Sequence, residues 1–216
     1  MDLSGGPNKI LNDMKKKSCR YEIRRAERML GEVEIETGTS KARRDFLSLY
    51  NDFAQAKRLP RFGPAQLREH SEHAETLVLY FRDEPLCCHL LLRDPDSGIV
   101  RLLYSGSRRL HTAEDAAACG ALNRYLHWHE LQRYHAQGFV RFDFGGVRDA
   151  DDPISRFKLS FGGEVVLEHY CLLSGAAWAA RLGQLVYERW RGSRASLSKS
   201  ADQATAPESS TSTALQ

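Results

Sequence analysis

A chain of 216 residues with 42% hydrophobic content is long enough for one domain with tails and apolar enough to bury a core. No run approaches the roughly 18–20 apolar residues that cross a bilayer, and lysines rather than an apolar stretch follow Met1-Asp2-Leu3-Ser4-Gly5-Gly6-Pro7, so neither a transmembrane segment nor a secretory signal is expected. The formal charge of +3 is modest but uneven: residues 1–30 hold eight Lys/Arg against four acids.

That basic segment reads either as a solvated helix or as a site for phosphates, RNA or an anionic membrane face. The five cysteines, Cys19, Cys87, Cys88, Cys119 and Cys171, are odd in number and include no Cys-x-x-Cys pair. Buried thiols in a reducing compartment are therefore expected, not a disulfide frame or a zinc site. The expected location is the cytoplasm, with peripheral contact at the inner face of the membrane compatible with the basic segment.

In chain order, residues 1–14 read as a flexible leader. A helix is expected over 15–30, with Ile23, Ala26 and Met29 among its apolar positions and Gly31 as its stop. Val33-Glu34-Ile35 alternates as a short strand. A second helix spans about 40–58, opened by Ser40 as N-cap and marked by Phe46, Leu49, Tyr50 and Phe53 at helical spacing. A short helix follows at about 65–73. Runs 76–81, 86–92 and 99–105 form a strand meander, turned at Asp83-Glu84-Pro85 and Asp94-Pro95-Asp96-Ser97-Gly98. Cys87 and Cys88, adjacent in a strand, point to opposite faces.

A long helix is expected over 112–137, ended by Gly138, then a strand over 139–144, a short helix over 153–160, a strand over 164–170 and a helix over 176–191. Residues 192–216 are Ser/Thr/Ala-rich without aromatics and read as a disordered tail, leaving 15–191 as the domain. A single helix between the third meander strand and the strand at 139–144 calls for a parallel pair inside a mixed sheet. The fold class is α/β (α+β): a mixed central sheet flanked by helices.

Two segments carry the chemistry. Phe142-Asp143-Phe144-Gly145-Gly146 ends a strand on two glycines, which turn without a Cβ penalty and let a ligand approach the backbone. Phe157-Lys158-Leu159-Ser160-Phe161-Gly162-Gly163 follows. At a strand end that opens a crevice, Asp143 reads as a group that orients or deprotonates an amine, or as a cap on the glycine turn. Lys158 reads as positive charge for a phosphate or an acyl oxyanion, or as a solvated helix lysine.

The two segments, with Arg20-Tyr21-Glu22-Ile23-Arg24-Arg25-Ala26 upstream, resemble the FemAB-like acyltransferases of the GNAT superfamily over about residues 15–172, as a single GNAT-like repeat. The resemblance implies an N-acyltransferase or aminoacyltransferase. Its acceptor would be a small-molecule or lipid-linked amine, in cell-wall or exopolysaccharide precursor metabolism. It would have no tightly bound cofactor, with acyl-CoA or aminoacyl-tRNA as co-substrate. It also implies that Lys158 lies near the substrate. Asp143 and Lys158 are the expected catalytic residues, with Gly145, Gly146, Arg156 and Phe157 at the substrate; a tRNA contact for the basic N-terminal segment and a homodimer are the further expected partners.

Acetyl-CoA-dependent GNATs carry a glycine-rich loop where the central strand enters the long helix. Here that junction is Ser105-Gly106-Ser107-Arg108-Arg109-Leu110-His111-Thr112, with one glycine. Ser107, Arg108 and Arg109 are the expected phosphate contacts there. A non-catalytic binding module is the alternative reading. Among the histidines, His70 and His73 have a metal-compatible spacing without a third ligand, and His129, on the stripe of Ala118, Leu122 and Tyr125, is expected to face the sheet or the cleft, as a core histidine rather than a catalytic base.

Overall fold

The structure is a computed structural model that describes residues 1–69, 72–149 and 151–168. The chain divides into two compact units, and every element below belongs to the first, Met1–Val165. In order these are α1 (Gly6–Asp13), a π-helical turn (Lys16–Arg20), α2 (Tyr21–Glu27), a 3-10 turn (Leu30–Glu32), β1 (Val33–Thr37), α3 (Ser40–Lys57) and α4 (Pro64–Glu69). The meander β2 (Ala74–Phe81), β3 (Glu84–Asp94) and β4 (Ile99–Ser107) follows, then α5 (Ala113–Ala136), β5 (Arg141–Asp143) and α6 (Pro153–Leu159).

The five strands form one sheet in sequence order. β1 to β4 pair antiparallel, as short turns demand, with Val33 opposite Phe81 and Leu90 opposite Tyr104. α5 crosses over, so β5 returns parallel to β4, with Ile99 opposite Arg141. This is the expected mixed sheet with its parallel pair.

Side-chain alternation along the strands builds a core on each face. Leu77, Leu79, Cys87 and Leu91 cluster with Ile23, Ala26, Leu122, Leu126 and Leu131 of α2 and α5. Val78, Tyr80, Cys88 and Leu90 cluster with Phe46, Leu49 and Tyr50 of α3 and with Phe62. Cys87 and Cys88 thus do serve opposite cores, and Cys19, Cys87, Cys88 and Cys119 are buried free thiols.

Three expectations change. Residues 1–14, expected to be a flexible leader, are folded: α1 forms there, and Leu3, Ile10 and Met14 are 0–1% exposed because they supply apolar area to the α5 side of the sheet. Leu3 N–H donates to the Val140 carbonyl and Phe142 N–H to the Met1 carbonyl, both at 2.9 Å, so residues 1–3 line the free edge of β5. Residues 164–168, expected to begin a strand, have no strand conformation, and Val165, Val166 and Leu167 are exposed. Finally, the N-cap of α3 is Thr39 rather than Ser40. Thr39 has extended backbone and accepts from Ala42 N–H at 3.0 Å, while Ser40 is already helical. The expected helix at 176–191, the tail, Cys171 and His70 lie outside the described residues.

Candidate active site

The site begins where the sheet opens. β4 and β5 pair over only three rungs, the last being Arg101 opposite Asp143; β4 then continues to Ser107 alongside β3. Arg101 to Ser105 are only partly buried, unlike the fully buried middle stretches of β2 and β3. β4, next to the edge strand β5, thus presents partly accessible side chains beyond its last rung with β5, and α/β sheets place ligands at such strand ends.

The glycine turn sits at this parting. Asp143 Oδ2 is 2.7 Å from Arg101 Nε, and Asp143 Oδ1 accepts from Gly145 N–H at 2.7 Å. Gly145 has φ +75°, and a Cβ built there would lie 3.4 Å from the Leu102 carbonyl oxygen and 3.6 Å from Lys158 Nζ. Lys158 reaches back from α6 to donate to the Gly146 carbonyl at 2.8 Å. α6 is aimed by Pro153 in its first turn and by the Asp152 cap, which accepts from Ser155 N–H at 2.8 Å. Burial lowers the Lys158 pKa, and the Asp143 and Asp152 carboxylates oppose that shift.

Asp143, Gly145, Gly146 and Lys158 therefore converge at one point. Phe157 faces inward instead, stacked beneath the Arg124 guanidinium at 4.7 Å and packed on His127. Arg156 is exposed.

Ser107, Arg108 and Arg109 stand at the other end of β4. Ser107 is the strand's last rung, opposite Cys87. Arg108 is held between Glu84, at 3.1 Å, and Asp115, at 3.5 Å, while Arg109 is exposed. Thr112 caps α5, accepting from Asp115 N–H at 3.0 Å, and Glu114 and Asp115 fill the first turn. Those acids already satisfy the positive end of the helix dipole that an anion would use. Gly106 is buried, and a Cβ there would meet Tyr50 and Cys88 at 3.2 Å, so this glycine serves packing on α3.

Sequence reasoning missed a buried polar cluster below the turn. Glu130 of α5 bridges two imidazoles, with Oε1 2.6 Å from His89 Nδ1 and Oε2 2.9 Å from His127 Nδ1. Asn123 Oδ1 lies 3.1 Å from His89 Nε2, and the imidazole rings stack at 4.2 Å. His127 is also packed by Phe142, Phe144, Phe157 and Phe161, the aromatics of both motifs. Burial, and then the neighbouring His89, lower the His127 pKa to about 4, against the pull of Glu130. Burial would raise the Glu130 carboxyl, but the two histidines outweigh it and hold the pKa at about 2.

The ligand atoms of His89, His127 and Glu130 lie within 4.8 Å of one another, close enough to share a metal ion. Their contacts of 2.6 and 2.9 Å are hydrogen bonds, however, shorter than the roughly 3.3 Å between ligands of a tetrahedral zinc. His129, the expected core histidine, is only partly buried, because the sheet-facing stripe of α5 runs through Leu122, Leu126, His127, Glu130 and Leu131. The available signals were His89 alone in the apolar run Leu86–Leu92, and a His-x-x-Glu spacing on α5.

No helix among the described residues is long and apolar enough to cross a membrane. No curated protein matches the chain in sequence. Among solved structures, FemX is similar in fold, with a TM-score of 0.60 at 13% identity over 75% of this chain, which spans 57% of FemX. An aminoglycoside acetyltransferase from an uncultured soil metagenomic sample, solved with sisomicin, gives a TM-score of 0.49 at 13% identity, over 68% of this chain and 99% of that one. The acetyltransferase (GNAT) domain family matches residues 14–159, a span that includes the meander, α5, the glycine turn and α6. The chain belongs to that family, the acetyltransferase (GNAT) domain family.

Proposed function

We propose that the chain transfers an activated acyl group to a primary amine at the parting of β4 and β5. The observation that carries this reading is the convergence of Lys158 Nζ and the Leu102 carbonyl at Gly145, 3.6 and 3.4 Å from where a Cβ would lie. An extended acyl donor would lie along β4 beyond Arg101, where no strand pairs with it on that side among the described residues. Lys158 supplies positive charge to the oxygen that becomes negative as the amine attacks. Asp143, already engaged by Arg101 and Gly145, orients the turn rather than removing a proton. Gly145 and Gly146 form the wall against which the acyl group rests. The acceptor is an amine on a small or lipid-linked cell-wall or exopolysaccharide precursor, the class that the FemAB-like resemblance implies.

Acyl-CoA is the donor expected of a GNAT domain. Aminoacyl-tRNA is a second reading, favoured by the end of β4, where Arg108 is paired with two carboxylates and the first turn of α5 is acidic. That arrangement suits a donor that does not depend on phosphates held at that helix end. The test is turnover. Thiol release from acetyl-CoA and longer acyl-CoAs across an amine panel is compared with amide formation from aminoacyl-tRNA. Amine-dependent product from either donor supports the reading and identifies the donor. No product from any pair leaves a binding module instead.

A further inference from the structure

The outer face of the N-terminal helices carries a separate concentration of charge. Lys16, Lys17, Arg20, Tyr21 and Arg24 line one pocket of about 370 Å3. Their spacing of i, i+1, i+4, i+5 and i+8 puts them on one side of the turn and α2. Cys19, Ile23 and Ala26, each 0–1% exposed, lie on the other side and pack into the core with α5, which fixes the direction in which the cations point.

The nearby carboxylates are engaged elsewhere: Asp13 with Lys9 at 2.6 Å, and Glu22 with Arg25 at 3.4 Å. Among the described residues, none of Lys16, Lys17, Arg20 and Arg24 forms an ion pair, and Arg20 Nε is buried without a hydrogen-bond partner. Four cationic side chains thus line one concavity, and none of them is ion-paired among the described residues. Tyr21, 57% exposed, adds a neutral hydroxyl donor to the same lining.

We infer that this pocket is a phosphate-binding site, distinct from the acyl-transfer crevice, that takes a phosphomonoester or pyrophosphate group. Arginine forks present parallel N–H donors matched to phosphate oxygens, and the lysines add point charge. The multiple charge of a monoester or pyrophosphate suits four cationic side chains on one lining better than a single carboxylate does. The cavity of about 370 Å3 lies at the lower end of the roughly 300–1,000 Å3 of small-ligand sites, large enough for a phosphate group. The phosphate has two sources with the same chemistry: a free soluble ligand, or a lipid headgroup presented at a membrane.

The experiment uses the full chain, with titration calorimetry against inorganic pyrophosphate and cosedimentation with phosphatidylcholine vesicles with and without phosphatidic acid. Arg20→Ala/Arg24→Ala is compared with the parent after its melting temperature has been checked. Lys16→Gln/Lys17→Gln, at two exposed positions, serves as the second variant if the first is unstable. Saturable pyrophosphate binding, weakened tenfold or more in the variant and falling with salt, supports the site. Pyrophosphate binding without vesicle binding assigns a soluble ligand; vesicle binding that requires phosphatidic acid and is lost in the variant assigns a lipid headgroup. Equal binding by parent and variant overturns the inference, as does binding only to an RNA oligomer with no response to pyrophosphate or vesicles. Acyl transfer is assayed in parallel, so failure here is distinct from failure of the catalytic reading.

Discussion

Arg101 and Asp143 form the last rung of the parallel ladder and also an ion pair, with Nε and Oδ2 2.7 Å apart. The same carboxylate holds the Gly145 amide, so one side chain closes the paired part of the sheet and starts the turn that opens it. Asp143→Ala removes both contacts. A partly exposed ion pair contributes up to about 1 kcal/mol and a hydrogen bond about 1 kcal/mol, so urea unfolding should show a loss of roughly 1–2 kcal/mol. Asp143→Asn keeps an acceptor for Gly145 and should recover about half. Equal stability of Asp143→Ala and the parent would show that the turn forms without its carboxylate.

Lys158 separates propping from catalysis. A partly buried lysine with one backbone contact costs about 0.5–1 kcal/mol to remove. Loss of a charge-assisted contact at the reacting oxygen, about 1.5–3 kcal/mol, would slow acyl transfer roughly ten- to a hundredfold. Lys158→Ala should therefore keep its melting temperature within a few degrees while kcat falls by that factor. An unchanged kcat in a folded variant would reduce Lys158 to a support for Gly146.

Acid should weaken the fold through the buried cluster. The folded pKa of His127, about 4, lies below its ordinary 6.5. Between those values the unfolded chain takes up a proton that the folded one does not, so stability falls as pH falls through that window. Glu130, about 2 against 4.5, acts in the same direction lower down: its contribution is present above pH 4.5 and is lost toward 2. The histidine step amounts to about 3 kcal/mol at most. Urea midpoints measured from pH 7.5 to 4 should decline steadily in the parent, and a flat profile would contradict the cluster's charge state.

Two glycines should differ sharply. Gly162 has φ +83°, and a Cβ there would lie 2.3 Å from the Asp13 carbonyl oxygen, so Gly162→Ala forces α1 and the end of α6 apart. Gly145→Ala meets its nearest atom at 3.4 Å and carries mainly the cost of φ +75°, about 1 kcal/mol or slightly more. Thermal melts should rank Gly162→Ala well below Gly145→Ala. Equal melting temperatures would mean that the α1–α6 contact yields without cost.

The strand meander, the crossover helix and the parallel pair were legible because period-2 and period-3.6 patterns report burial directly, and because glycines and prolines punctuate them. The glycine turn was legible because Gly145-Gly146 and Lys158 sit in short, distinctive segments. What stayed hidden is long-range. Leu3, Ile10 and Met14 are too sparse to announce a helix, and only the apolar α5 side of the sheet draws them in. Glu130 looks like any helix-surface acid until His89, 41 positions earlier on β3, is brought beside it. Arg108 reads as a free phosphate contact until Glu84, 24 positions earlier, folds onto it.

The bridged cluster of Glu130, His89 and His127 also bears on how this chain can vary. Changing Glu130 alone strands two buried imidazoles, and changing either imidazole alone leaves a buried carboxylate half-satisfied; each single step costs about 3–5 kcal/mol, whereas apolar residues in place of the whole cluster would fill the same space at little cost. Neutral drift at these three positions is therefore blocked one residue at a time and open only to concerted change. Among relatives that share this β3–α5 packing, the three should be kept together or lost together, inherited as one character spread over 42 positions of sequence.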